Sequence, residues 1–387
     1  MIIGLAAAIK AEQPVPAPSF KYIDAMAASG FSAISAVGGD LRFDRDEWDV
    51  DFQTFAVVPG SEGLDTTLMD SARMLPRLPA ASDRPVVPSR HVGASTATML
   101  AGNWEFGDAF GAAESLIDKI HEPGVFARIV NDLRMDPNIQ VDLRQLAREL
   151  GPGFTFSTEI VPPFSDDCEK ILLSVQVLHP DQIVANLENY LKADGYEPID
   201  LGTGVRAWQY VPVEVVAGDI DVILNQQVGQ PPANGEQPPL MQAFAMVDNE
   251  LLASNDLEYL RQVLARSSDE ELTKDTAYRR VAELVRSRSP GTPTMLRFGR
   301  PDRIYRLTYE LMQAGELTTS DTFVERLLRM LDGTEKGVMR RSQIDAVKLP
   351  MDFNTTVAPR LLPTGWSMTV EKDGWYIVGG ILAPPTH

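Results

Sequence analysis

The sequence predicts an α+β protein, with antiparallel or mixed sheets flanked by helices and a β-hairpin at the C-terminal end. Three observations carry this. Apolar residues recur at helical spacing, as in Phe110, Ala113, Leu116, Ile117 and Ile120. Residues 171–178 are instead almost continuously apolar (Ile171, Leu172, Leu173, Val175, Val177, Leu178), as expected of a central strand buried on both faces. Residues 365–371 and 375–382 read as two strands joined by the tight turn Lys372-Asp373-Gly374.

Taken in order, residues 12–18 carry Pro14, Pro16 and Pro18 and read as an extended leader. Phe20, Ile23, Met26 and Ala27 predict a helix over 19–29, ended by Gly30. Strands follow at 31–43 and 50–58 around a polar turn. Prolines 76, 79, 85 and 88 mark a linker. Next come a strand over 94–104, the helix carrying Phe110 to Ile120, shorter helices near 125–134 and 142–150, and strands at 154–161 and 171–178. Asp181 opens a helix ended by Gly195, and 205–211, 213–224 and 241–247 read as strands, with a proline-rich loop over 226–239. Asn255 is placed to cap the next helix, with Glu258 completing a capping box. A helix runs from Asp275 to about Arg286, a strand covers 294–298, and helices follow near 301–313 and 320–331.

The chain carries 54 acidic against 35 basic residues, a formal net charge of −19. That balance repels phosphate backbones and anionic headgroups, so nucleic acid is excluded as an expected partner. No apolar run approaches the ~20 residues that span a bilayer. The start of the chain is a short apolar stretch without the positive flank of a signal peptide.

Cys168 is the one cysteine, so no intrachain disulfide and no cysteine-based metal site is available. It sits in the polar run Ser165-Asp166-Asp167-Cys168-Glu169-Lys170 and reads as an unreactive surface thiol that serine could replace. His91, His121, His179 and His387 are mutually remote and fit no ligand pattern. Asp44, Asp46, Glu47, Asp49 and Asp51 crowd one turn, but the central glycine of a calcium loop is absent and Phe55 stands where its last ligand belongs. The cluster therefore reads as a solvated edge that discourages strand pairing. No nucleophile elbow, phosphate loop or dinucleotide fingerprint occurs, and Gly202-Thr203-Gly204 is too short. No catalytic, cofactor-binding or metal-ligating residue is singled out. Between Arg279 and Arg306 the charge balance reverses: arginines 279, 280, 286, 288, 297, 300, 303 and 306 face only Glu283 and Asp302. These either meet the protein's own acidic surface, the preferred reading, or bind an anionic glycan or acidic protein face.

A unit recurs at the two ends of the chain. Gly30-Phe31-Ser32 follows a predicted helix and opens a hairpin ending at Pro59, and Gly365-Trp366-Ser367 does the same before Pro384. With Gly30-Phe31-Ser32-Ala33-Ile34, Asp136-Pro137, Leu251-Leu252-Ala253-Ser254-Asn255, Ala277-Tyr278-Arg279-Arg280-Val281, Lys348-Leu349-Pro350 and Asp373-Gly374-Trp375, the chain resembles large uncharacterised secreted or membrane-anchored planctomycete bacterial proteins related to a bacterial envelope domain of unknown function. The resemblance runs from about residue 19 to the end and rests on packing and turn residues. It implies an extracytoplasmic location, in the periplasm or cell envelope, and no known activity or cofactor. If the short N-terminus is not an export signal, the expected location is cytoplasmic.

The expected organisation is a leader over 1–18, a helix and hairpin over 19–60 as the possible remnant of a truncated upstream module, a linker over 61–90, and a main α+β domain over 91–387. The expected function is that of a non-enzymatic envelope-associated structural or binding protein, whose partner is a protein or glycan of the envelope. The alternatives are a hydrolase using paired carboxylates and a calcium-stabilised adhesion module.

Overall fold

Strand alternation sets the architecture, because each strand shows one set of side chains to each face of the sheet. The computed structural model describes residues 34–57, 84–211, 240–314 and 352–384, apart from 46, 121, 138, 139, 165, 166, 203 and 372. Within them one sheet of 12 strands holds the fold together, in the order β1-β2-β12-β11-β10-β3-β4-β5-β9-β8-β7-β6. The strands are β1 Ala36–Arg45, β2 Trp48–Val57, β3 Thr98–Asn103, β4 Leu150–Ile160, β5 Glu169–Val177, β6 Tyr196–Asp200, β7 Arg206–Tyr210, β8 Ala243–Val247, β9 Glu250–Ser254, β10 Met295–Gly299, β11 Thr364–Glu371 and β12 Gly374–Leu382. Every ladder among them is antiparallel. The sheet is open, with β1 and β6 as its edges.

Helices cover both faces. On one lie α5 (Leu257–Ala265) and α6 (Thr276–Arg288). Their Leu260, Val263, Val281 and Val285 pack on Met99, Leu172, Leu252, Leu296 and Val378 from the strands. On the other lie α1 (Phe106–Ile120), α2 (Val125–Met135), α3 (Leu143–Glu149) and α4 (Pro180–Ala193). There Phe126, Leu146, Ile183 and Leu191 meet Val177, Trp208 and Met246. Trp208 and its neighbour Ala207 thus point into opposite cores, as the pleat requires. Helix α7 (Pro301–Ala314) lies on the α1–α4 side, with Leu307 against Ile160 and Phe164, and Tyr309 packs on Phe353 of the short α8 (Phe353–Thr356).

The structure answers several local expectations. Asp275 caps α6 by accepting from the Tyr278 N–H at 2.8 Å. The cap of α5, however, is Asp256, which accepts from the Tyr259 N–H at 2.7 Å. Asn255 turns the other way and ties down β5, accepting from the Ile171 N–H and donating to the Glu169 carbonyl, both at 2.8 Å. Sequence reasoning also missed β6, whose Pro198 and exposed Glu197 argue against an interior strand and suit an edge. The hairpin β1–β2 is built into the sheet through the β2–β12 ladder, and Trp48 is buried against the α6 side. The stretch read as a linker includes packed residues, because Val86 and Ser89 are buried. The predicted segments 19–29, 213–224 and 320–331 lie outside the described residues.

Cys168 corrects the expectation of a surface thiol. It is 2 % exposed and packs with Leu307, Ile160 and Phe164 beneath α7. Of its polar neighbours, Glu169 and Lys170 begin β5, while the thiol itself turns into the apolar layer. Serine would place a hydroxyl where the thiol behaves as a small hydrophobe. Cys168→Ser is therefore expected to lower stability by about 1–3 kcal/mol in urea unfolding.

Candidate functional site

The densest polar cluster in the described residues lies at the middle of the sheet, on the α5–α6 face. Residues 84–97 cross it as an irregular strap over β3, β4, β5 and β9. Such a segment cannot pair its own backbone groups, so the sheet beneath and the helices beside it must supply partners. The strands do so with hydroxyls and carboxylates where apolar residues would otherwise stand. The Ser89 N–H donates to Thr155 Oγ1 at 2.9 Å. Ser89 and Ser174 both donate to Glu250 Oε2 at 2.5 Å, and the His91 N–H donates to Ser89 Oγ at 3.2 Å. Ser95 donates to Glu159 Oε2 at 2.7 Å.

Arginines close the strap from the helix side. Arg266, just beyond α5, donates through Nη1 to the His91 carbonyl and through Nη2 to Glu159, both at 2.9 Å. Arg286 of α6 donates to the Val86 carbonyl at 3.1 Å. Arg303 of α7 reaches the Ala94 and Thr96 carbonyls at 2.6 and 3.0 Å. Position 93 is glycine for a steric reason: a Cβ there would stand 2.4 Å from the Arg266 guanidinium carbon.

The remaining arginines of the basic stretch are mostly engaged as well. Arg280 donates to Glu47 at 3.2 Å, and Arg288 pairs with Asp51 while lying over the Trp48 ring at 5.8 Å. Arg300 grips Asp302 with two bonds at 2.9 and 2.8 Å. Arg306 approaches Glu310 at 3.6 Å and the Phe164 ring at 5.1 Å. Arg279 remains exposed. The basic stretch thus meets the protein's own carboxylates and carbonyls, as the preferred expectation had it.

Of the acidic cluster 44–51, expected as a solvated edge, Glu47 is exposed and Asp51 departs from the expectation. Asp51 is 1 % exposed and faces α6, where Arg288 pairs with it. Among the described residues no three His, Cys, Asp or Glu side chains group to hold a metal ion. Of the histidines, His179 lies at the start of α4 with Nδ1 2.5 Å from Glu149 Oε2, and His91 is buried in the strap. His121 and His387 lie outside the described residues.

Burial governs the electrostatics of the cluster. Burial lowers the His91 imidazole from its ordinary value; Glu250 pulls the other way, and Arg90 and Arg266 reinforce the fall. Burial pushes the Tyr259 phenol well up, and Glu159 adds to that. Glu159 and Arg266 are both largely withdrawn from solvent, with side chains 6 % and 12 % exposed. This arrangement can hold a strap in place, with the Ser89 hydroxyl donating to Glu250. A separate open groove of about 450 Å³ runs along the β6–β7 edge, lined by Val184, Glu188, Ile199, Asp200, Arg206 and Trp208.

A third feature is apolar. Val37, Leu41 and Phe43 of the edge strand β1 are 66 %, 56 % and 65 % exposed. The register sets them opposite Ala56, Phe52 and Val50 of β2, on the face away from α5 and α6. In the sequence the row lies within a predicted strand, beside the crowded acids of 44–51.

No protein-family model matches the chain, and no curated protein or solved structure matches it either.

Two outcomes follow from the cluster. Glu159→Gln leaves Arg266 buried beside a neutral partner and is expected to lower stability by about 3–5 kcal/mol in urea unfolding. His91 gives a pH dependence. Its folded pKa lies below the unfolded value of about 6.5, so between the two the unfolded chain binds the extra proton. Stability from this group is therefore complete above about pH 6.5 and falls as the pH drops towards the folded pKa. Urea unfolding from pH 7.5 to pH 5, as a rough span, should show a smaller acid loss in His91→Gln than in the parent chain.

Proposed function

We propose that the chain is a non-enzymatic structural or binding protein of the bacterial cell envelope, which engages a protein or glycan partner through the β1–β2 end of its sheet. The observation that carries this is the row Val37, Leu41 and Phe43, exposed on an outer strand. Contiguous apolar surface of this kind on a folded protein marks an interaction site. Its neighbours extend it inward: Val50 and Phe52 on β2 pair in register with Ile381 and Gly379 on β12. The central polar cluster supports the same reading from the other side, because its serines and carboxylates are spent on the strap. The envelope location rests on the resemblance in sequence.

Sedimentation of the purified chain with washed bacterial cell-envelope fragments tests this. The parent chain should pellet with the fragments, and a Leu41→Lys, Phe43→Lys variant should bind at least about tenfold more weakly, the effect of about 1.4 kcal/mol. Equal sedimentation of the two, or turnover of a glycoside substrate abolished by Glu159→Gln, would overturn the reading.

A further inference from the structure

The edge strand β1 has the features of a self-complementary surface, and we propose that it pairs with β1 of a second copy, antiparallel about a two-fold axis at Leu41. This rests on the reading of β1–β2 as the binding end and names its partner. Strand β1 is 10 residues long, and among the described residues its one ladder is with β2. The Val57 carbonyl of β2 accepts from the Ser35 N–H at 2.9 Å, so Val57 faces β1, while the alternate, even-numbered residues of β2 face β12. Through the registers, the even-numbered residues of β1 therefore bond to β2 and the odd-numbered ones turn their N–H and C=O groups outward. A row of outward groups on an edge is a template for another strand.

Side chains fix the register. An axis through Leu41 sets residue 40 of one copy opposite residue 42 of the other, at both ends of the axis. Asp40 then meets Arg42 twice, and both are placed to do so, since they already pair with each other at 2.6 Å on the exposed strand. Opposite charges facing across strands stabilise the pair, and like charges in the same place oppose it. On the other face Leu41 meets Leu41, and Phe43 falls opposite Gly39. That glycine is required by β2, because a Cβ at position 39 would stand 2.2 Å from the Gln53 carbonyl oxygen. It leaves a notch that an aromatic ring from the neighbouring strand fills. Joining two copies covers the exposed apolar row at its centre and removes one open edge from each sheet.

The opposite edge shows how a strand avoids such pairing. Strand β6 has 5 residues, carries Pro198 without an N–H to donate, and exposes Glu197 and Asp200. Strand β1 has twice that length and no proline, and its exposed charges Asp40 and Arg42 are of opposite sign.

The test is sedimentation equilibrium of the full chain over a concentration series. The parent chain is expected to dimerise. Asp40→Arg and Arg42→Asp should each weaken the dimer at least about tenfold, because each sets like charges opposite each other twice. An equal mixture of the two variants should regain the dimer as a mixed pair, since every facing charge is then opposite. Leu41→Cys should cross-link in air into a covalent dimer: the two Cα atoms of such a hydrogen-bonded pair stand about 5.5 Å apart, within disulfide range. A parent chain that stays monomeric up to about 100 µM, a dimer indifferent to both reversals, or a mixture no more dimeric than its components would overturn the proposal. Monomeric protein that still pellets with envelope fragments would remove the dimer and leave the binding reading intact. A dimer that does not pellet would do the reverse.

Discussion

The irregular strap over residues 84–97 imposes the constraint on which the centre of the molecule depends. A loop laid across a sheet brings carbonyls and N–H groups into a layer without water, and each needs a partner. Here the partners come from three places at once. Strand hydroxyls below satisfy Ser89, and backbone beside the strap pairs with Val92 and Ala94, through Leu272 and Glu270 at 2.8 and 2.7 Å. Guanidinium groups above take four of its carbonyls, those of Val86, His91, Ala94 and Thr96. Arginine suits this role, because a planar fork of donors can bridge a carbonyl and a carboxylate together, as Arg266 does. The strap in turn lies over β3, β4 and β5, the strands that join the two ends of the sheet. Helices α5, α6 and α7 are thereby tied to one another through a segment that belongs to none of them.

The same constraint explains what the polar residues at the centre are for. Thr155, Ser174, Glu159 and Glu250 share the α5–α6 face with Leu172 and Leu252, where a simple sandwich of sheet and helix would bury only apolar groups. Their burial is unfavourable unless each finds a hydrogen bond, and the strap gives them those bonds. Carboxylates and serines close together suggest hydrolytic chemistry when distances alone are considered. Here Ser89, Ser174, Ser95 and Arg266 take up the carboxylate oxygens of Glu250 and Glu159 within a packed layer.

Much of this fold was legible in the sequence wherever local chemistry decides the outcome. The run at 171–178 became the interior strand β5, the cap at Asp275 formed, and the tight turn before Gly374 joined β11 to β12. The failures share one cause, which is that the deciding partner is distant along the chain. Asn255 and Asp256 are both competent caps, and the choice fell to Asp256 because β5 and Lys170, at 2.5 Å, fix the pair from outside the helix. Cys168 and Asp51 sit among polar neighbours but face Leu307 and Arg288, which come from helices far away in sequence. Residues 84–90 have the composition of a linker and become a structural strap because arginines two hundred residues later hold them. No candidate site residue was legible, since the central cluster assembles from the strap, three strands and the segment after α5 and has no short motif.

The distribution of charge links the interior to the surface. The chain has a formal net charge of −19, yet its most basic stretch is turned inward on carbonyls and carboxylates. The net negative charge repels polyanions at long range. Recognition then has to rely on something other than bulk attraction. Antiparallel pairing at β1 meets that requirement, because it needs only short-range contacts: main-chain hydrogen bonds, an apolar row, and Asp40 and Arg42 that are neutral as a pair. Long-range repulsion between two acidic copies would still slow encounter and weaken with added salt. A surface that repels at a distance and matches at one strand is selective, since it disfavours chance contacts elsewhere while leaving a single register in which charge, shape and hydrogen bonding agree.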